Sequence, residues 1–243
     1  MRTVLISGAT SGIGKSCVAE FLNAGFRVIA HGRCPTKLED LTQKFKSSNL
    51  LTVQFDLMNI EEMELAVSAL EPIHILINNA GVYDRKPWLE HTPEDYDFIF
   101  QTNVRATYFL CKCVIRNLLH HGNEGLILNN SSTLGNKPAP QTSLYAASKA
   151  ALNSLTQSLA MEFAPQIRAI GVLPGVVDTP IHSKKVTEKE LELFYSSISN
   201  MHPMGRIGTS QELARLFLTL ASKDLSWMTG SLITMDGGIS LVT

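Results

Sequence analysis

The chain has 243 residues, a length that suits one α/β domain, with 21 Lys+Arg against 22 Asp+Glu. The formal net charge of −1, with no basic tail, excludes a protein built to bind a polyanion, so nucleic acid is not an expected partner. Charged residues make up only 18%, below the roughly 25% of an average soluble chain, which leaves a sparing surface or one partly hidden in an oligomer.

No run approaches the roughly 18 apolar residues of a spanning helix, so no membrane is expected. The opening stretch is also too short for a secretory h-region of about 7–15 residues. Cys17, Cys34, Cys111 and Cys113 show neither CxxC spacing nor scaffold density, which suits free thiols and a cytoplasmic location.

Short β-rich runs alternate with helix-period segments along the whole chain. Strands are predicted at 4–6, 28–30, 51–55, 73–77, 126–128, 167–173 and 232–235, each apolar on both faces. Helices are predicted at 16–23, 37–45, 61–70, 96–119, 144–163 and 211–222, with start signals at Thr92-Pro93-Glu94 and Ser210-Gln211-Glu212. This alternation predicts a Rossmann-type, doubly wound sheet of seven parallel strands with helices on both faces, as a single domain over 1–243. An insert at 181–203, holding an amphipathic helix at 187–199, departs from the alternation and is a candidate lid.

The first strand runs into Ser7-Gly8-Ala9-Thr10-Ser11-Gly12-Ile13-Gly14 and then a helix. Glycines there let the backbone approach a pyrophosphate and aim helix N-terminal amides at it. The spacing is GxxxGxG, and a tight turn without ligand is the plain alternative; its place in the first βα unit favours a dinucleotide. The second strand ends Ile29-Ala30-His31-Gly32-Arg33, with no carboxylate at its tip for a ribose 2′-hydroxyl. Arg33 offers a planar fork of donors to a 2′-phosphate instead, unless it is simply a solvated arginine.

The fourth predicted strand ends in Asn78-Asn79-Ala80-Gly81. In the helix at 96–119, Cys111 and Cys113 read as apolar packing, and His120-His121-Gly122 as a C-terminal cap. No metal site is expected. After the fifth strand Ser132 is placed to hydrogen-bond a substrate carbonyl. Tyr145 and Lys149 stand one helical turn apart on one face, where an ammonium would draw the phenol's pKa down toward an acid/base range. After the sixth strand comes Pro174-Gly175-Val176-Val177-Asp178-Thr179. These motifs all fall at strand C-termini, where α/β sheets bind ligands.

In order and spacing, SGATSGIG (7–14), Asp56-Leu57, NNAG (78–81), Asn103, Ser132, YAASK (145–149), PGVVDT (174–179) and TGSLITMDGG (229–238) resemble the short-chain dehydrogenase/reductase family in its minimal form of about 250 residues, including its 3-oxoacyl-[acyl-carrier-protein] reductase-like members. The resemblance covers essentially the whole chain, with Ser7 where the family usually has Thr. It implies a catalytic set of Asn103, Ser132, Tyr145 and Lys149. It further implies that Gly8, Ser11, Ile13 and Gly14 border the pyrophosphate of NADP(H), Asp56 and Leu57 hold the adenine, and Asn79 lies by the adenosine ribose. Lys149 would hold the nicotinamide ribose, Tyr145 would also touch the cofactor, Val177 and Thr179 would meet the carboxamide, and Arg33 matches the arginine of NADP-preferring members. Asn103 would hold a water relaying protons to Lys149.

The activity implied is hydride transfer between the nicotinamide and a small-molecule carbonyl or secondary alcohol. Two alternatives stand beside it. One is a 3-oxoacyl-[acyl-carrier-protein] reductase, disfavoured because Asn123 and Gln166 stand where arginines often meet the carrier. The other is a non-catalytic NADP-binding regulator, disfavoured because the catalytic set is complete. The resemblance also implies a homotetramer or homodimer through the helices at 96–119 and 144–163. Trp88, Trp227, Met201 and Met204 could be core, interface or pocket, and Lys184-Lys185 reads as a solvated pair.

Overall fold

The computed structural model describes residues 1–181 and 187–242. Lys184 and Lys185 therefore lie outside the described residues, as does part of the insert. Seven strands, β1 (Thr3–Ile6), β2 (Arg27–Gly32), β3 (Leu50–Gln54), β4 (Ile75–Asn78), β5 (Gly125–Asn130), β6 (Ile167–Pro174) and β7 (Leu232–Met235), form one parallel sheet in the order β3-β2-β1-β4-β5-β6-β7. The strand order reverses at β1, where Val4 faces Val28 of β2 on one side and Ile75 of β4 on the other. A crevice beyond the carboxyl ends of the strands is expected at that switch point.

The helices are α1 (Gly12–Asn23), α2 (Pro35–Phe45), α3 (Ile60–Ser68), α4 (Pro93–Phe100), α5 (Ala106–His120), α6 (Ser143–Phe163), α7 (Glu188–Met201) and α8 (Ser210–Leu220). Alternate side chains of the strands point to opposite faces. Val4 and Ile6 pack with Val18 and Phe21 of α1, Leu41 of α2 and Phe217 of α8. Leu5 packs on the other face with Met63 of α3, Leu110 and Val114 of α5 and Ala160 of α6. Both faces are thus covered, which is why the strands read as continuous apolar runs. Among the described residues no helix is long and apolar enough to cross a membrane.

Local chemistry sets the helix ends. Thr92 and Asp95 form a reciprocal capping box at the start of α4, with Pro93 in its first turn. At α8 the box is made by Thr209 and Glu212, so the helix is capped one residue earlier than the Ser210 signal suggests. The helix α1 begins at Gly12 rather than at 16, because the glycine-rich segment itself supplies the first turn.

The single long helix expected at 96–119 is divided. Between α4 and α5 residues Gln101–Arg105 form a π-helical turn. Such turns insert a residue, re-aim side chains and recur at functional sites. Here Asn103 is turned inward, and its side chain bonds both the N–H and the carbonyl of Val82. No helix-breaking residue in the sequence announces this. Cys111 and Cys113 are buried as expected, and Gly122 follows α5 at φ +63°.

Candidate active site

Beyond the β1 end of the sheet lies a cavity of about 930 Å³, lined by residues from the tips of β1, β2, β4, β5 and β6 and from α7. Its floor is a knot of short bonds between β1 and β4. The Ser7 hydroxyl accepts the N–H groups of Asn79 and Ala80, each at 3.0 Å. Asn79 Nδ2 donates to the Ser7 and Gly8 carbonyls at 3.1 and 3.2 Å, and its Oδ1 accepts from Asn130 Nδ2 at 3.0 Å. A serine in place of threonine supplies this hydroxyl equally well.

Two glycines make the knot possible. Gly8 sits at φ +64°, and a Cβ there would stand 2.9 Å from Ala80 Cα. A Cβ on Gly14 would stand 2.3 Å from the Gly8 carbonyl oxygen. Backbone on both sides leaves nothing to give way. Ser11 makes no side-chain cap to α1, so the first-turn amides of that helix are not engaged by it. The loop after β6 closes against this turn, with Thr179 next to Gly12 and the Thr179 hydroxyl donating to the Val177 carbonyl at 3.3 Å.

At the β2 tip Arg33 is exposed and in no ion pair among the described residues, and Lys37 lies one turn away on α2; both line the cavity. Lys37 escaped the sequence reading, although its i, i+4 spacing from Arg33 was a usable signal. Asp56 and Leu57 follow β3 on the same side, Asp56 accepting the Met58 N–H at 3.0 Å. His31 also lines this end; its ring packs on Phe55 at 4.0 Å and its Nε2 lies 3.0 Å from the Phe55 carbonyl.

The other end of the cavity holds Ser132, Tyr145 and Lys149, all buried. Ser132 heads a short turn after β5, and its hydroxyl accepts the Leu134 N–H at 3.1 Å. Tyr145 and Lys149 project from the first turns of α6. Lys149 Nζ donates to the Asn130 carbonyl at 2.8 Å and stands 5.6 Å from the centre of the Tyr145 ring. Asn103 closes the group from below, using both amide hydrogens on the Val82 carbonyl and the Ser148 hydroxyl. Gly81 lies between Asn103 Oδ1 and Lys149 Nζ.

Here the structure corrects one expectation. Lys149 does not draw the Tyr145 phenol down; burial raises its pKa, with Ser132 pulling it back and Tyr83 adding to the rise. The physical reason is desolvation of the phenolate, and burial likewise pulls Lys149 down to about 8. Near neutral pH the phenol is therefore protonated.

Several lining residues were not singled out from sequence. Tyr83 packs edge-on against Tyr145, ring centres 4.9 Å apart at 84°. Arg85 follows it, and Lys137 lies in the loop after Ser132. Their positions just past β4 and β5 were the available signal. From α7, Phe194, Ile198 and Met201 line the cavity, whereas Met204 does not. Trp88 and Trp227 are 76% and 99% exposed and belong to neither core nor cavity.

Comparison with known proteins follows the same outline. A family model described as enoyl-(acyl carrier protein) reductase matches residues 8–240. L-xylulose reductase of Bos taurus is 34% identical over 238 residues, covering 98% of this chain and 96% of that protein. Among solved structures, ElxO with NADP bound superposes at a TM-score of 0.90 with 30% identity, covering 99% of each chain. A short chain dehydrogenase/reductase family protein superposes at 0.87 with 32% identity, covering 98% of this chain and 97% of that one.

Proposed function

The chain belongs to the short-chain dehydrogenase/reductase family of oxidoreductases, and from that premise we propose that it reduces a small-molecule carbonyl with NADPH, using Tyr145 as the proton donor. The observation that carries this reading is a buried, protonated phenol beside Ser132 and Lys149, in one cavity with the glycine-rich turn.

The residues fit a phosphorylated dinucleotide. Position 8 has no room for a side chain, so bare backbone borders the cavity there, beside the start of α1, whose macrodipole favours an anion; Gly14 lies buried beneath it, where it lets α1 close on the Gly8 carbonyl. Gly8, Ser11, Ile13 and Gly14 would border the pyrophosphate, with Asn79 at the adenosine ribose and Asp56 and Leu57 at the adenine. Arg33, with Lys37 behind it, would meet a 2′-phosphate; neither has a carboxylate partner among the described residues, and Arg matches phosphate as a bidentate donor. Val177 and Thr179 would meet the carboxamide, and Lys149 the nicotinamide ribose. When bound, the cofactor supplies the hydride.

The chain's own residues do the rest. The Ser132 hydroxyl donates to the substrate carbonyl oxygen and polarises it. Tyr145 Oη gives up its proton to that oxygen as negative charge develops there. Lys149, with its pKa near 8, can return a proton to Tyr145 at neutral pH. Asn103 holds the Val82 backbone and Ser148, and so fixes the wall behind Lys149; a relay water would use its remaining acceptor capacity.

Of the segment at 181–203, the described part from Thr187 to Pro203 serves as the lid in this reading. Its helix α7 is secured at one end by the Thr187–Glu190 capping box and at the other by the buried His202, whose Nδ1 bonds the Ile198 carbonyl. Tyr108 of α5 and Ala147 and Ala150 of α6 are exposed, which supports a homo-oligomer through those helices.

The test is NADPH oxidation at 340 nm with a panel of ketones. Turnover by the wild type, and a loss of about 10³-fold in Tyr145→Phe with NADPH affinity held within about twofold, is the expected result. Full activity in that variant would remove Tyr145 from the chemistry.

A further inference from the structure

We propose that the substrate carries an anionic group, a carboxylate or a phosphate ester, held at the mouth of the cavity by Arg85 and Lys137. The proposal rests on the hydride-transfer reading above and names the substrate class that reading leaves open.

Apart from the buried Lys149 at the chemistry end, the charges lining the cavity fall into two sets. Arg33 and Lys37 lie at and just after the tip of β2, with Asp56, the only lining carboxylate among the described residues, following β3 beside them. Arg85 follows β4 and Lys137 follows β5, on the other side of β1. Two strand spacings of roughly 4.8 Å separate β2 from β4 and three separate it from β5, about 10 and 14 Å. One phosphate cannot serve both sets. A 2′-phosphate that meets Arg33 leaves Arg85 and Lys137 unexplained.

The second pair is held together by backbone. The Lys86 N–H donates to the Gln141 carbonyl at 2.8 Å, which ties the loop carrying Arg85 to the loop that follows Lys137. Lys137 Nζ reaches the Ser240 carbonyl at 3.5 Å, a contact that leaves its other donors available. Both side chains are exposed, and neither forms an ion pair among the described residues. The neighbouring Lys86, by contrast, is paired with Asp95.

Arg85 is also close to the chemistry. Its charge is felt at the Tyr83 phenol, and the Tyr83 ring packs directly on Tyr145. Phe194, Ile198 and Met201 stand at i, i+4 and i+7 on α7 and present an apolar stripe to the same cavity. A molecule with an apolar body on that stripe, a carbonyl at Tyr145 and an anion at the rim uses all three surfaces.

Matched substrate pairs test this: acetoacetate against methyl acetoacetate, benzoylformate against its methyl ester, and acetoacetyl-coenzyme A against acetoacetyl-N-acetylcysteamine. In the wild type the anionic member should show kcat/KM at least about tenfold above its neutral partner, chiefly through KM, and the margin should shrink with added salt. In the Arg85→Ala/Lys137→Ala double variant that ratio should fall at least about tenfold. Preference confined to the acids assigns a carboxylate, and preference confined to the coenzyme A pair assigns a phosphate. Equal use of both members, or an unchanged ratio in the variant, overturns the proposal. If no member of any pair turns over, the reading of function fails, and calorimetric titration of acetoacetate and of acetoacetyl-coenzyme A then decides the anion site alone. Binding that is lost in the double variant supports the site, whereas absent or unaltered binding overturns it.

Discussion

The two ends of the cavity are built on different principles. At the sheet end Ser7, Asn79, Asn103, Asn130 and Lys149 are joined by hydrogen bonds of 2.8 to 3.2 Å among themselves or to neighbouring backbone. Ser7, Asn79 and Asn130 stand at the ends of buried strands, Asn103 on the π-helical turn and Lys149 on α6. At the rim, Arg85, Lys137 and the face of α7 are exposed or half-buried and are held mainly by backbone contacts of their loops. A buried network is costly to leave partly satisfied, so the first region tolerates one arrangement. The second can vary in side chain without disturbing the sheet. Chemistry common to a family is suited to the first region, and substrate choice to the second.

The largest expected effect breaks the rigid side of this comparison. Gly14→Ala places a methyl against the Gly8 carbonyl, and overpacking against backbone should cost about 3 kcal/mol, read as a lower urea midpoint together with loss of NADPH binding. An unchanged midpoint would mean that the turn is less tightly determined than its geometry indicates.

Next comes the buried lysine. Its folded pKa of about 8 lies below the ordinary 10.5, so between those values the unfolded chain binds the additional proton and stability rises with pH. From pH 8 to 9.5 the cofactor-free protein should gain about 1.6 kcal/mol relative to Lys149→Met by urea denaturation, a comparison that cancels the opposing loss from the buried Cys17 and Cys111 thiols, which burial pushes up. Equal pH profiles for the two proteins would contradict the burial of an ionisable Lys149.

Arg33→Asp tests the exposed adenosine side. The substitution replaces a phosphate partner with an acid able to accept from a ribose hydroxyl, so the NADPH-to-NADH ratio of kcat/KM should fall by about tenfold or more while the melting temperature holds. An unaltered ratio would return Arg33 to an ordinary surface role. The smallest effect belongs to the rim. Thr187→Ala removes the capping box of α7 and should cost that helix about 1 kcal/mol, seen as faster proteolysis within α7 at an unchanged global midpoint. A shift of the global midpoint would show that α7 is coupled to the sheet more tightly than the comparison holds.

The seven strands, the helix starts near Pro93 and Ser210, and the set Ser132, Tyr145 and Lys149 were all legible in the sequence. Each depends on a local pattern: an apolar run, a cap, or a motif at a strand end. The split of the long helix at Gln101–Arg105 was not legible, since the turn exists to bring Asn103 onto the backbone of Val82, a contact between residues 21 apart. The state of Tyr145 was misread for a related reason. Spacing shows that a lysine is one turn away, but not that both groups are buried, so that dehydration pushes the phenol up and the ammonium down.

By itself the sequence determined the alternation of strands and helices, the bare-backbone turn at Gly8 and Gly14, and the placing of polar motifs at strand ends, because these follow from side-chain periodicity and from where a Cβ is missing. Tertiary structure alone decided which charges share the cavity and which proton Tyr145 carries. Charge pairing and desolvation depend on distances across the fold, and Arg33, Arg85 and Lys137 become two separate sites only when β1 is laid between them.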